Sequence, residues 1–239
     1  MISFLHYLRE MSELDEMPLP DSWDKNIFTL PGRISPKNFR QALEYARKNS
    51  TYVAKGSSRA VFRLTYEGRQ TMLKLAMNEA GLSQNEREVD VIFDGVMGHS
   101  RVVIPGIDYD KHNDEPMWIH EEYATRATGK MFVNTLGGRG LLDLYDYIYR
   151  LHKDSSAEAK QAVAADFNTD HELVHETYEL WGNLGFEREF LADIEGLRNW
   201  GKYQGRLVLV DLGLSSEVYR RHYNTRRPTT PRGWIKPKP

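Results

Sequence analysis

The order of hydrophobic patterns predicts an α+β protein: a mainly β first half holding one helix, then a helical second half holding one hairpin. Three observations carry this expectation. Residues 51–76 contain three short β-type runs, TYVA, AVFRLTY and TMLKLA, with the turn signal EGRQ between the last two. Residues 140–154 and 171–185 instead repeat apolar residues at helical spacing. GKYQGRLVLVD at 201–211 reads as two strands joined at Gln204-Gly205.

Taken in order, residues 1–34 are broken by Pro18, Pro20 and Pro31 and offer one short amphipathic stretch, FLHYLREM. SPKNFRQALEYARKNS predicts a helix with Ser35 as cap and Pro36 at the first helical position. Its residues Phe39, Leu43 and Ala46 share one face. After the strands of 51–76, NEAGLSQNEREVDVIF predicts a helix from Ser83, with Val89, Ile92 and Phe93 toward the core. RVVIPGI and MWIHEEYA predict two further strands. HELVHETYELWGNLG predicts a helix entered through Thr169 or Asp170. The last twenty residues, 220–239, hold seven Lys/Arg, four Pro and no acid, the composition of an unstructured or docking arm.

Composition narrows the class. A length of 239 residues with 40% hydrophobic content suits one domain or two small lobes. The formal net charge of -2 argues against nucleic acid as a partner. The absence of Cys excludes disulfides, thiol catalysis and Cys-ligated zinc. No apolar run approaches about 18 residues, so no membrane span is expected. The charged N-terminus does not read as a secretory signal, and a cytoplasmic protein is expected.

Phosphoryl transfer requires backbone over the phosphates, a Lys upon them, an acid to hold that Lys, oxygen ligands for Mg²⁺ and a base for the attacking hydroxyl. Residue types for each task occur in that order. KGSSRAVF (55–62) lies between two strands, where a phosphate loop belongs, with Gly56 as its one glycine. Lys74 lies inside the apolar run TMLKLA. Such a lysine either faces water from an edge strand or is held by an acid, because an unpaired buried ammonium is costly. The next helix supplies Glu86 and Glu88; Glu88 is preferred, because the other acids there have ready solvent-facing explanations. FLADIEGLRNWGKYQGRLVLVDLG (190–213) then gives Asp193, Asn199, a hairpin and Asp211 followed by Leu-Gly.

Through GSSRAVF, LKLA, QNEREVDV and NWG…LVLVDLGLS, residues 50–216 resemble the protein-kinase-like superfamily, in particular compact divergent members from bacteria and phages. The resemblance implies a two-lobed fold: residues 1–50 an N-terminal extension and helix, 51–123 a small β-rich N-lobe, 124–219 a truncated helical C-lobe, and 220–239 a basic tail. It implies ATP and Mg²⁺ as cofactors. Gly56 and the amides of Ser57 and Ser58 would cover the phosphates. Lys74 would contact the α/β-phosphates and pair with Glu88. Glu121, Glu122 and Tyr123 would lie near the hinge that reads adenine. Asp193 would be the catalytic base, and Asn199 and Asp211 would hold Mg²⁺.

The departures are specific. Leu-Ala-Asp replaces His-Arg-Asp, and Asn199 follows Asp193 by six residues instead of five. Only 28 residues follow Asp211, too few for the usual peptide-binding helices. These features keep a pseudokinase, acting as a nucleotide-binding or protein-interaction module, beside the active phosphotransferase. Transfer of a nucleotide instead of a phosphate is a third reading. A protein partner is expected, if anywhere, at the N-terminal extension or the basic tail. A rival from another class is His171-Glu172-x-x-His175, the spacing of a zinc hydrolase, with Glu195 as third ligand.

Overall fold

The computed structural model describes residues 36–95, 97–153 and 171–224, together with positions 156 and 158. The FLHYLREM stretch, the Ser35 cap, Thr169, Asp170 and the basic stretch after Asn224 lie outside the described residues.

Helix α1 (Pro36–Asn49) opens on its proline and buries Phe39, Ala42 and Ala46. Strands β1 (Thr51–Lys55), β2 (Arg59–Tyr66), β3 (Arg69–Ala76), β4 (Gly106–Tyr109) and β5 (Trp118–Glu122) form one antiparallel sheet in the order β1-β2-β3-β5-β4. The β2–β3 turn is set by Glu67 and Gly68, both left-handed at φ 51° and 74°, a geometry whose twist matches the strands it joins. Strand β3 is central, so Lys74 is no edge lysine. It lies in register with Val61 on one side and Ile119 on the other.

Alternation along β3 divides the sheet. Leu73 and Leu75 face a core shared with Phe62, Leu64, Trp118 and the α1 residues. Met72 and Lys74 face a cavity on the other side.

Helix α2 (Glu79–Ile92) starts four residues before the expected Ser83, because the Asn78 side chain accepts the amide of Gly81 at 3.0 Å and caps it. Its deepest apolar residues are Val91 and Ile92, while Val89 and Phe93 are only partly buried. The buried face also carries Ser83, Asn85 and Glu88, which a purely apolar stripe does not anticipate. The expected RVVIPGI strand is split. Ile104 donates to Leu209 and Leu209 to Val102, whereas pairing with β5 begins only at Gly106. Pro105 has no amide to continue a ladder, and its carbonyl takes the amide of Glu122 instead.

The second half contains β6 (Thr125–Arg126), α3 (Gly129–Thr135), α4 (Leu141–Lys153), α5 (Glu172–Asn183), α6 (Arg188–Glu195), β7 (Trp200–Tyr203), β8 (Arg206–Leu209) and α7 (Ser216–His222). The helix read over 171–185 is α5, and His171 itself is its cap, accepting the amide of Leu173. The predicted Gln204-Gly205 turn joins β7 and β8, with φ 47° and 87°. A second core, built around Phe132, Leu144, Trp181, Phe190 and Trp200, also takes in Val91 and Ile92 of α2 and Val102, Val103 and Ile104 from the first half. The chain thus forms the expected α+β arrangement, a β-rich first half followed by a mainly helical second half that holds one hairpin. Among the described residues no helix is long and apolar enough to cross a membrane.

Candidate active site

A cavity of about 680 Å³ lies between the lobes. Its lining includes Gly56, Ser57, Ser58, Lys74, Glu122, Asp193, Asn199 and Asp211, drawn from most of the chain. Glu88 is not among the lining residues; it lies behind Lys74, fully buried. Tyr123 is not among the lining residues; Ala124 takes the corresponding wall.

Glu88 organises the interior. Its Oε1 accepts Lys74 Nζ at 2.7 Å and the Leu212 amide at 2.9 Å, and its Oε2 accepts Arg59 Nη1. Burial pushes this carboxyl up, but the charges of Arg59 and Lys74 outweigh it and hold the group below the usual carboxylate range. Lys74 Nζ also donates to Glu121 at 2.9 Å and to the Val210 carbonyl at 2.6 Å. Burial lowers the lysine's affinity for its proton, yet Glu121 and Glu88 together leave it raised. Glu121 is raised to about 7, because its own burial exceeds what Lys74 returns. Of the two acids considered on α2, Glu86 is exposed, which leaves Glu88 as the partner.

Two members of this network were not anticipated from the sequence. Arg59 opens β2, is buried, and reaches from Glu88 to Asp211, whose Oδ1 lies 2.5 Å from Nη2. Glu121 was expected near the hinge, yet its side chain turns inward to Lys74. The available signals were slight: an arginine directly before the apolar AVF, and Glu121 sharing the alternation of Ile119.

In the loop after β1, the Gly56 amide is spent on the Arg59 carbonyl at 2.9 Å, closing a tight turn. Ser58 Oγ donates to Gln84 on α2 at 2.6 Å. On the opposite wall, Asp193 lies in the last turn of α6, on a helix instead of a loop. Asn199 Nδ2 donates to the Asp193 carbonyl at 3.0 Å and to its Oδ1 at 3.2 Å. The Asn199 carbonyl takes the Val210 amide at 2.8 Å, which ties Asn199 to the residue beside Asp211. Asp193 Oδ2 is buried and has no hydrogen-bond partner. Burial, then the charge of Asp211, raise this carboxyl to about 8.

Asp211 and Asn199 offer hard oxygen donors of the kind Mg²⁺ prefers. Among the described residues no group of three or more His, Cys, Asp or Glu is placed to hold a metal without help. A Mg²⁺ ion here would therefore share its coordination with phosphate oxygens and water, its usual habit in phosphotransfer sites. The His171–His175 pair fits a metal poorly: His171 Nδ1 is spent on the helix cap, and His175 is exposed beside Glu179 at 3.4 Å.

No protein-family model matches the chain, and no curated protein matches it. Among solved structures, aminoglycoside phosphotransferase APH(4)-Ia aligns at 13% identity and TM-score 0.32, over 73% of this chain and 70% of that one. A thermostable mutant of that enzyme, in ternary complex with ADP and hygromycin B, aligns at 11% identity and TM-score 0.32 over the same shares. Another, with AMP-PNP and hygromycin B, aligns at 12% identity and TM-score 0.32, over 69% of this chain and 66% of that one.

Proposed function

We infer that this protein is a Mg²⁺/ATP-dependent phosphotransferase acting on a hydroxyl acceptor. One observation carries the reading. A single cleft joins an acid-held lysine, Lys74 with Glu88, to two oxygen-bearing side chains, Asn199 and Asp211, and to Asp193, whose Oδ2 is buried and unpartnered.

In this reading the apolar end of the cleft, with Val61, Met72 and Ala124, receives adenine beside Glu122. The amides of Ser57 and Ser58 approach the phosphates, and Lys74 donates to them while Glu88 fixes its direction. Asn199 and Asp211 hold Mg²⁺, which when bound neutralises charge on the phosphoryl oxygens. Asp193 takes the proton of the acceptor hydroxyl. The acceptor oxygen bonds to the γ-phosphorus, the bond from that phosphorus to the β,γ-bridging oxygen breaks, and ADP leaves with that electron pair. A base raised to about 8 is only partly ionised at neutral pH, but its basicity is well matched to proton abstraction there.

The test is ATP binding by thermal shift, with and without Mg²⁺, on the wild type and Asp211→Asn. A Mg²⁺-dependent rise in Tm that the variant loses supports the reading; no rise under either condition overturns it. The Arg59–Asp211 pair favours a second reading, a nucleotide-binding pseudokinase that transfers nothing. Binding without release of ADP over many hours, across a panel of small hydroxyl acceptors and proteins, distinguishes that case.

A further inference from the structure

Resting on the phosphotransferase reading, we propose that Arg59 is a phosphate-binding residue that gives up Asp211 when a nucleotide arrives, so that the cleft takes a divalent metal only together with a nucleoside polyphosphate.

The guanidinium is anchored at one end and exchangeable at the other. Nη1 is held by Oε2 of Glu88, a side chain with 0% exposure, with Asn85 Oδ1 a further 3.4 Å contact. Nη2 reaches Oδ1 of Asp211, whose side chain is 49% exposed in the cleft. Water screens the second pair and not the first, so the Asp211 end is the cheaper one to break. Arg59 lines the cavity three residues after Gly56, on the wall where the phosphates are expected. Its planar fork suits two phosphate oxygens as well as it suits a carboxylate.

The same geometry excludes a bare ion. Asp211, the one carboxylate proposed to bind the metal, already neutralises a guanidinium, so an entering cation has to displace a cation. A metal–polyphosphate complex removes the conflict, because its anionic oxygens serve both the displaced guanidinium and the metal. Space for this cation is kept by Gly213, where a Cβ would come within 3.0 Å of Arg59 Nη2.

The experiment uses the full chain as wild type, Arg59→Gln and Arg59→Lys. Mn²⁺ alone is titrated and followed by the EPR signal of the free ion; ADP is titrated calorimetrically in EDTA and again with Mn²⁺. The wild type is expected to bind ADP, to retain Mn²⁺ poorly alone, and to bind ADP more tightly with Mn²⁺ present. Arg59→Gln is expected to retain Mn²⁺ alone at least tenfold more tightly and to bind ADP in EDTA at least tenfold more weakly. Arg59→Lys, which keeps charge and loses the fork, falls between. Unchanged Mn²⁺ and ADP affinities in both variants overturn the role of Arg59 while leaving the phosphotransferase reading intact. If Arg59→Gln does not fold, the wild type decides: tight retention of Mn²⁺ without nucleotide overturns the proposal. Absence of any ADP binding by the wild type removes the phosphotransferase reading, and this proposal with it.

Discussion

The Lys74 ammonium on β3 and the Glu88 carboxylate on α2 are 2.7 Å apart, with side-chain exposures of 7% and 0%. The pair joins the sheet to the helix, and through Leu212 and Val210 it reaches the second lobe. Removing one member of such a network strands the others without compensation. Glu88→Ala is expected to cost about 3–5 kcal/mol in urea unfolding, because Arg59 and Lys74 lose a shared counter-charge in a buried place. Glu86→Ala, an exposed change on the same helix, is expected within about 0.5 kcal/mol of the wild type. Equal effects of the two would contradict the buried-network account.

The base role proposed for Asp193 implies a pH dependence. Its carboxyl is raised to about 8, so the free protein holds it mostly protonated at neutral pH and ionises it as pH rises. A base works only when ionised. The kcat/KM for phosphotransfer is therefore expected to climb with pH and level off above about 8, reporting the free-enzyme group. Asp193→Asn should lower the rate at every pH and abolish the inflection. A flat profile for the wild type would remove Asp193 from the base role.

Glu121 makes a separate statement about stability. Its folded-state affinity for a proton is raised, from 4.5 to about 7, through burial. A group raised on folding contributes stability that is present below its unfolded value and is lost as pH rises through the folded one. The stability of the wild type relative to Glu121→Gln should thus fall between about pH 4.5 and 7 and stay constant above. Paired urea titrations across that range measure it, and a constant difference would show that Glu121 does not titrate as its burial implies.

Gly213 is constrained by its neighbours. A Cβ there would meet the Gln84 carbonyl at 2.9 Å as well as Arg59 Nη2 at 3.0 Å. Because the first contact is helix backbone, α2 has to give way. Gly213→Ala is expected to destabilise by about 1–3 kcal/mol, the cost typical of overpacking. It should also weaken ADP binding, since α2 carries Glu88. A variant as stable as the wild type would show that the approach of the two segments is loose.

Local chemistry in the sequence determined a good deal. Pro36, the Glu67-Gly68 turn and the Gln204-Gly205 turn fixed boundaries that depend on a residue's own backbone preferences. The periodicities at 140–154 and 171–185 located helices because burial of one face follows directly from spacing. Lys74 and Asp211 stood out as charges inside or at the end of apolar runs, where charge is expensive, Glu88 as the acid of its helix without a ready solvent-facing explanation, and Asp193 and Asn199 through their order before the hairpin and Asp211. Only the tertiary structure decided which of them meet. It put β3 in the middle of its sheet, which turned Lys74 from a possible edge lysine into a buried one. It brought Arg59 to Asp211 across 152 positions of chain and Glu121 to Lys74 across 47, contacts with no local signature. It also drew Asn78 into capping α2 ahead of Ser83, and split RVVIPGI at Pro105 between two partners. The reason is common to all: periodicity and turn chemistry act over a few residues, whereas the partner of a buried charge is chosen by packing between segments distant in the chain.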